Sequence, residues 1–199
     1  MRTIPNIVKR VIEHFDALPG IGGKNAARLA YHVLERREYA ANFARDLEQA
    51  LAVIRLCDEC QTLTDKEKCG VCSDAQRDHT TICVIAHIQD LEPIEHTGKF
   101  NGLYHVLHGT INPIEGVTPD AIRIKELISR IERNGIREII LALDATMDGE
   151  ATTLYLTKLL KEKGLQLSVL ARGMPLGSNI EYTDEGTLSS ALENRKKIQ

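Results

Sequence analysis

Cys57-Asp58-Glu59-Cys60, followed after eight residues by Cys69-Gly70-Val71-Cys72, decides how the rest of this chain is read. Each pair presents two thiolates on one knuckle of backbone, and four sulfurs at about 2.3 Å complete the tetrahedral shell of Zn²⁺. That shell leaves no open position, so the expected metal is structural, one ion per chain. It supplies the ordering free energy that the polar segment around it, rich in Asp, Glu, Lys and Thr, cannot gain by burial. Iron-sulfur ligation is the competing metal reading. Redox-active dithiols fit less well, because two such pairs at this separation are superfluous for exchange chemistry. The fifth cysteine, Cys83, lies in an apolar run and reads as a small buried hydrophobe. An odd count of five in a chain with no export signal argues against a disulfide framework.

On the N-terminal side of the cysteines the pattern is helical. Val8, Val11, Ile12 and Phe15 follow the i, i+3, i+4, i+7 spacing of a core-facing stripe. Ala26, Ala30, Val33 and Leu34 repeat it, and Phe43, Leu47, Ala50, Leu51 and Ile54 give a third stripe. Leu18-Pro19-Gly20-Ile21-Gly22 between the first two is long enough only for a tight turn, which predicts a helical hairpin. Gly20 and Gly22 let the backbone approach a phosphate closely, the next helix directs unsatisfied amides outward, and Lys24 and Arg28 stand one turn apart to neutralise charge. Such contacts bind nucleic acid without reading bases. The plainer alternative is a hairpin whose Lys and Arg are merely solvated. His14 and His32 flank this unit and read as solvated or capping groups.

On the C-terminal side strands and helices alternate. Ile82 to Ala86 reads as a strand, Asp90 to His96 as a short helix and Tyr104 to Leu107 as a strand. Thr118 and Pro119 read as N-cap and first position of a helix whose Ile124, Leu127, Ile128 and Ile131 share a face. Glu138 to Leu143 is a further strand, Glu150 to Lys163 a helix, and Gln166 to Leu170 the last strand. This order predicts a mostly parallel sheet with helices on its faces. The tail is punctuated by Gly and Pro, turns helical from Gly186, and ends in Arg195-Lys196-Lys197, which reads as solvated. Asp144, Asp148 and Glu150 cluster at the end of a strand where a helix begins, a place where ligands of parallel sheets gather. They could hold Mg²⁺ or simply complement the helix dipole.

The composition bounds these readings. The 199 residues are 43% hydrophobic and 27% charged, enough for one large core or two small ones, which excludes a fibrous or disordered chain. Trp is absent and aromatics are 4%, so the core is expected to be aliphatic. A net charge of -3 selects no partner, since a nucleic-acid binder need only be basic where it touches phosphate. No apolar run approaches the roughly 20 residues of a membrane-spanning helix, and the first residues are unlike a signal peptide, so the expected compartment is the cytosol.

Taken in order, these motifs resemble the RecR family of bacterial recombination mediators over nearly the whole chain. Leu18-Pro19-Gly20-Ile21-Gly22 with Lys24, Ala27 and Arg28 resembles the family's helix-hairpin-helix, and Cys57, Cys60, Cys69 and Cys72 match its zinc ligands. Thr97-Gly98, Gly102 to Leu107 and Gly149-Glu150-Ala151-Thr152 resemble its Toprim domain, and Ala171 to Gly177 the segment leading to its C-terminal region. The resemblance implies a multi-domain α+β and α/β chain. Residues 1–56 would be the DNA-binding helix-hairpin-helix, 57–80 the four-cysteine zinc finger, 81–171 the Toprim domain and 172–199 a C-terminal segment for oligomerisation. It further implies a non-enzymatic protein that closes as a ring-like tetramer on double-stranded and gapped DNA and works with RecO and RecF in loading recombinase. At the Toprim site the chain departs from the pattern: Ala86 stands where the first strand usually ends in Glu, Asp90 keeps the later acidic position, and Asp144 adds a carboxylate. Asp90, Asp144, Asp148 and Glu150 are then candidates for a metal or partner contact. The enzymatic alternative is a Mg²⁺-dependent nuclease or strand-transfer activity.

Overall fold

Along the strand Thr81–Ile85 the odd and even side chains face opposite ways, and both sets are apolar. A strand of that kind is stable only between two covering layers. In the computed structural model, which describes residues 4–197, those layers are present. The chain divides into two compact units, Met1–Ile54 and Arg55–Gln199.

In the first unit α1 (Asn6–Asp16) and α2 (Gly23–Glu35) pack against each other as a hairpin, with α3 (Arg37–Val53) following. Ala26 and Ala30 of α2 are fully buried. Val8, Val11, Ile12 and Phe15 of α1 are half-buried, so the first two expected stripes meet. The third stripe forms a helix but not a core face. Phe43, Leu47, Leu51 and Ile54 stay exposed, Leu51 at 84%, because no described element of this unit covers that side of α3. The turn closes through Ile21 N–H donating to the Leu18 carbonyl (3.1 Å). Gly20 there takes φ +78°, a conformation other L-residues rarely adopt.

The second unit opens with a two-stranded antiparallel hairpin, β1 (Arg55–Leu56) with β2 (Leu63–Thr64), and a one-turn helix α4 (Gly70–Ser73). The sheet follows: β3 (Thr81–Ile85), β4 (Leu103–Val106), β5 (Glu138–Ala142) and β6 (Gln166–Val169), all parallel, in the order β4-β3-β5-β6. Ile82, Val84, Ile139 and Leu141 form one core with Ile124, Leu127 and Ile131 of α6 (Ile124–Asn134) and Leu156 and Leu160 of α7 (Met147–Leu160). Cys83, Ile85, Tyr104 and Val106 form the other, under Leu91 and Ile94 of α5 (Leu91–His96). Burial pushes the Cys83 thiol up to about 12, as befits a packing residue. The last helix, α8 (Glu185–Glu193), stops short of Arg195-Lys196-Lys197, which are exposed.

One expected helix start is displaced. Pro119 opens a single 3-10 turn (Pro119–Ala121), not α6, and the Thr118 side chain makes no capping bond. The chain then extends at Ile122, which is buried in the first core, while Arg123 N–H donates to the Leu107 carbonyl (2.9 Å). Burying Ile122 and satisfying Leu107 outweigh the local cap signal, and α6 begins at Ile124, five residues beyond Pro119.

His105 of β4 is fully enclosed, with Nε2 donating to the Arg123 carbonyl (2.8 Å) and Nδ1 unpartnered. Burial pushes it down from 6.5 to about 4. The unfolded chain therefore binds the extra proton between those values. Stability is whole above about pH 6.5 and falls as pH drops toward 4, by roughly 3 kcal/mol for a depression of this size. In urea titrations across that range, His105→Gln is expected to have a flatter stability profile than the unaltered protein, the two curves converging toward acid.

Candidate metal centre and nucleic-acid interface

The four cysteines are brought together. Their sulfurs all lie within 4.8 Å of one another, and Cys60 Sγ and Cys69 Sγ are 3.5 Å apart. A tetrahedral zinc-thiolate shell has sulfur-sulfur edges of about 3.8 Å, so the residues fit the ion in number, spacing and chemistry. Each knuckle is shaped by its own backbone. In the first, Gln61 takes a left-handed φ of 63° and its N–H donates to the Cys57 carbonyl (3.0 Å). In the second, Cys69 caps α4, and N–H groups donate to sulfur from Cys69 to Cys57 (3.3 Å) and from Cys72 to Cys69 (3.5 Å). Sulfhydryl bonds from Cys60, then Cys69 and Cys72, hold Cys57 far below an ordinary thiol. Its contact with Cys57 pushes Cys60 up. Metal binding replaces those shared protons and leaves four thiolates.

The centre is tied to the sheet at the free edge of β4. Val106 N–H donates to the Cys60 carbonyl (2.9 Å), and His108 Nε2 donates to the Gln61 carbonyl (2.7 Å). Val71, between Cys69 and Cys72, packs against the cysteines and both sheet cores. The knuckle thus covers main-chain groups that an edge strand would otherwise expose.

The hairpin turn lies in the other unit. Gly22 is the N-cap of α2 and offers no side chain, and no acidic residue occupies the first turn. Gly20, Gly22, Lys24 and Arg28 are all exposed. Neither Lys24 nor Arg28 enters an ion pair among the described residues. Residues 1–54 hold eight Lys and Arg against six Asp and Glu, whereas 55–199 hold 17 against 22. A local excess of positive charge therefore belongs to the unit that carries this turn.

The acidic residues are placed near strand ends but do not converge. Ile85 and Ala142 are register partners, so Ala86 and Asp144 leave the sheet from neighbouring strands. Three of the carboxylates are already engaged. Asp90 accepts from His87 N–H (2.7 Å), Asp148 accepts from Asn112 Nδ2 (2.8 Å), and Glu150 pairs with Arg172. Asp144 is exposed and without a side-chain partner among the described residues. The four cysteines are the one group of three or more potential ligands that converges among the described residues. The possible Mg²⁺ set of Asp144, Asp148 and Glu150 does not converge in this way: Asp148 is bonded to Asn112 and Glu150 is paired with Arg172. The turn into α7 is fixed by Gly149, where a Cβ would fall 2.0 Å from the Asp144 carbonyl oxygen. The sequence reading missed Asn112, Arg172 and Arg130. Of these, Arg172 was met only as part of the Ala171 to Gly177 segment, and Arg130 left a trace one turn from Leu127 on the buried side of α6.

The architecture is that of proteins joining a helix-hairpin-helix and a four-cysteine zinc finger to a Toprim domain. Family models match in that order: the RecR helix-hairpin-helix at residues 8–51, the RecR zinc finger domain with its four cysteines at 54–74, the Toprim domain at 80–171 and the RecR C-terminal region at 173–196. "Recombination protein RecR" of Lactococcus lactis subsp. cremoris (strain MG1363) is 45% identical over 195 residues, 98% of each chain. Its namesake in Anaeromyxobacter sp. (strain Fw109-5) is 44% identical over 192 residues, covering 96% of this chain and 97% of the relative. That of Myxococcus xanthus (strain DK1622) is 43% identical over 195 residues, covering 98% and 99%. The chain belongs to the RecR family of recombination proteins, and its four cysteines form that family's structural zinc site.

Chelation of zinc, or Cys57→Ser, is expected to unfold the segment around residues 57–72 and to lower the melting temperature of the whole second unit. Calorimetry of metal-loaded and chelated protein checks this, and superimposable traces would contradict it.

Proposed function

We propose that this protein is a non-catalytic mediator of recombinational DNA repair that closes on double-stranded or gapped DNA as a ring-like tetramer and acts with RecO and RecF in loading recombinase. The observation that carries the reading is the start of α2, which no side chain caps: Gly22, Gly23 and Lys24 are exposed there, and neither Lys24 nor Arg28 enters an ion pair among the described residues. Gly20 and Gly22 admit a phosphate to that point, and the two cations neutralise it. In this reading residues 1–56 grip DNA, 57–80 hold the zinc, 81–171 form the Toprim domain, and 172–199 contribute to assembly. The exposed apolar side chains of α3, together with Leu176, Ile180, Tyr182 and Leu192, support self-association. The setting is the cytoplasm, at the nucleoid; no helix among the described residues is long and apolar enough to cross a membrane.

The Toprim domain serves as a partner surface in this account. Ala86 is buried where a catalytic acid would be needed, and Asp148 and Glu150 are occupied by neighbours. A metal-dependent nuclease requires a general acid-base group and convergent carboxylates. Neither requirement is supported by these side chains.

Three measurements test the proposal. The Lys24→Ala/Arg28→Ala variant is expected to bind all duplex sequences more weakly. It should also flatten the dependence of log K on log salt by about 0.9 for each phosphate that is no longer neutralised, read by fluorescence anisotropy; an unaltered slope would oppose the hairpin's role. Mass measurement with and without gapped duplex is expected to give a multimer, and incubation with Mg²⁺ is expected to leave gapped and supercoiled DNA intact. Cleavage abolished by Asp144→Asn would instead favour an enzyme.

A further inference from the structure

Arg130 of α6 is the largest fully enclosed side chain in the described structure, 1% exposed. A guanidinium does not shed its proton, so burying one demands a compensating anion. Its polar neighbours give only part of that compensation. Nη1 donates to the Tyr104 carbonyl in β4, which is neutral. Nε stands 3.6 Å from Glu59 Oε2 and makes no hydrogen bond. The Glu59 carboxylate is in turn shared with Lys68 Nζ (3.2 Å) and Asn134 Nδ2 (3.0 Å). The remaining group is sulfur: Nη2 donates toward Cys72 Sγ at 3.7 Å.

Four thiolates around one Zn²⁺ carry a net charge of -2. A buried guanidinium against one of those sulfurs and a buried dianionic centre against a guanidinium solve each other's problem. We propose that Arg130 is a positioning residue of the zinc centre: its guanidinium is the counter-charge of the Cys72 thiolate and links metal occupancy of the knuckle to α6 and β4. Arg130 lies 58 residues beyond Cys72 in sequence, so the link joins segments that the cysteine spacing alone does not connect. A cavity of about 300 Å³, lined by Cys72, Arg130, Glu59 and Lys68 among others, opens beside this pair. Competing ligands and water reach Cys72 from there. The N–H···S contact draws charge from that sulfur and slows its protonation and departure from the metal.

The test uses the full-length, zinc-loaded protein. Zinc transfer to an excess of chromogenic chelator is timed for the unaltered protein, Arg130→Met and Arg130→Lys. Sulfur-to-cobalt charge-transfer bands are recorded after Co²⁺ substitution. Arg130→Met is expected to release zinc about tenfold to hundredfold faster and to shift the cobalt bands, whereas Arg130→Lys, which keeps the charge, stays close to the unaltered rate. Release from Arg130→Met at the unaltered rate with unshifted bands, even with a lowered melting temperature, would assign Arg130 to packing alone and overturn the proposal. So would Arg130→Lys releasing as fast as Arg130→Met. Should Arg130→Met fail to fold, Glu59→Gln decides the matter: removing the carboxylate that competes for the guanidinium should slow release, and an unchanged or faster rate overturns the proposal.

Discussion

Four sulfurs drawn onto one point give residues 57–72 an order that their own hydrophobicity could not supply. The segment is polar, the strands just before and within it (β1 and β2) are two residues long and the helix at its end is a single turn, far below what local propensity or burial sustains. Yet Cys60, Gln61 and Val71 are the groups that meet the edge of β4 and both sheet cores. A small metal-dependent element therefore closes one side of a sheet that would otherwise present unpaired backbone to water. Helix α6 in turn supplies the enclosed arginine, and β4 the Val106 N–H that donates to the Cys60 carbonyl of the knuckle.

At the acidic strand end, three of the four carboxylates are bound into the surrounding loops and helices. Asp90 stabilises the 3-10 turn after β3, Asp148 holds the loop at Asn112, and Glu150 meets Arg172. Thr152, fully buried, binds the same loop through Ile111 N–H (2.8 Å) and its own helix through the Asp148 carbonyl (2.6 Å). These are contacts that fix shape.

Much of this was legible in the residues. The i, i+3, i+4 stripe marked α1 and α2, the apolar runs marked β3 and β5, and the cysteine spacing marked a convergence that the structure bears out. Where the reading slipped, a distant contact had overridden a local signal. Thr118-Pro119 carries a helix-start pattern, but Ile122 is held in the core and Arg123 is bonded to Leu107, so the helix waits. The stripe on α3 is real, but periodicity announces an apolar face without naming what covers it. The β1-β2 hairpin had no signal because two-residue strands are too short to show alternation. The partners of Asp148 and Glu150 lie 36 and 22 residues away, beyond the reach of any spacing rule.

The strand order has a consequence for synthesis. Because β5 lies between β3 and β6, the central strand finds its second neighbour only when Ile139 and the residues around it have left the ribosome, long after Ile82. Non-local parallel pairing is slow, and vectorial emergence makes it slower still. The cysteines of the knuckle are all translated before the strand whose edge they cover. The nascent chain thus holds all four ligands of the ion before the edge they cover is made, and Arg130, the enclosed neighbour of Cys72, joins them only once α6 has followed.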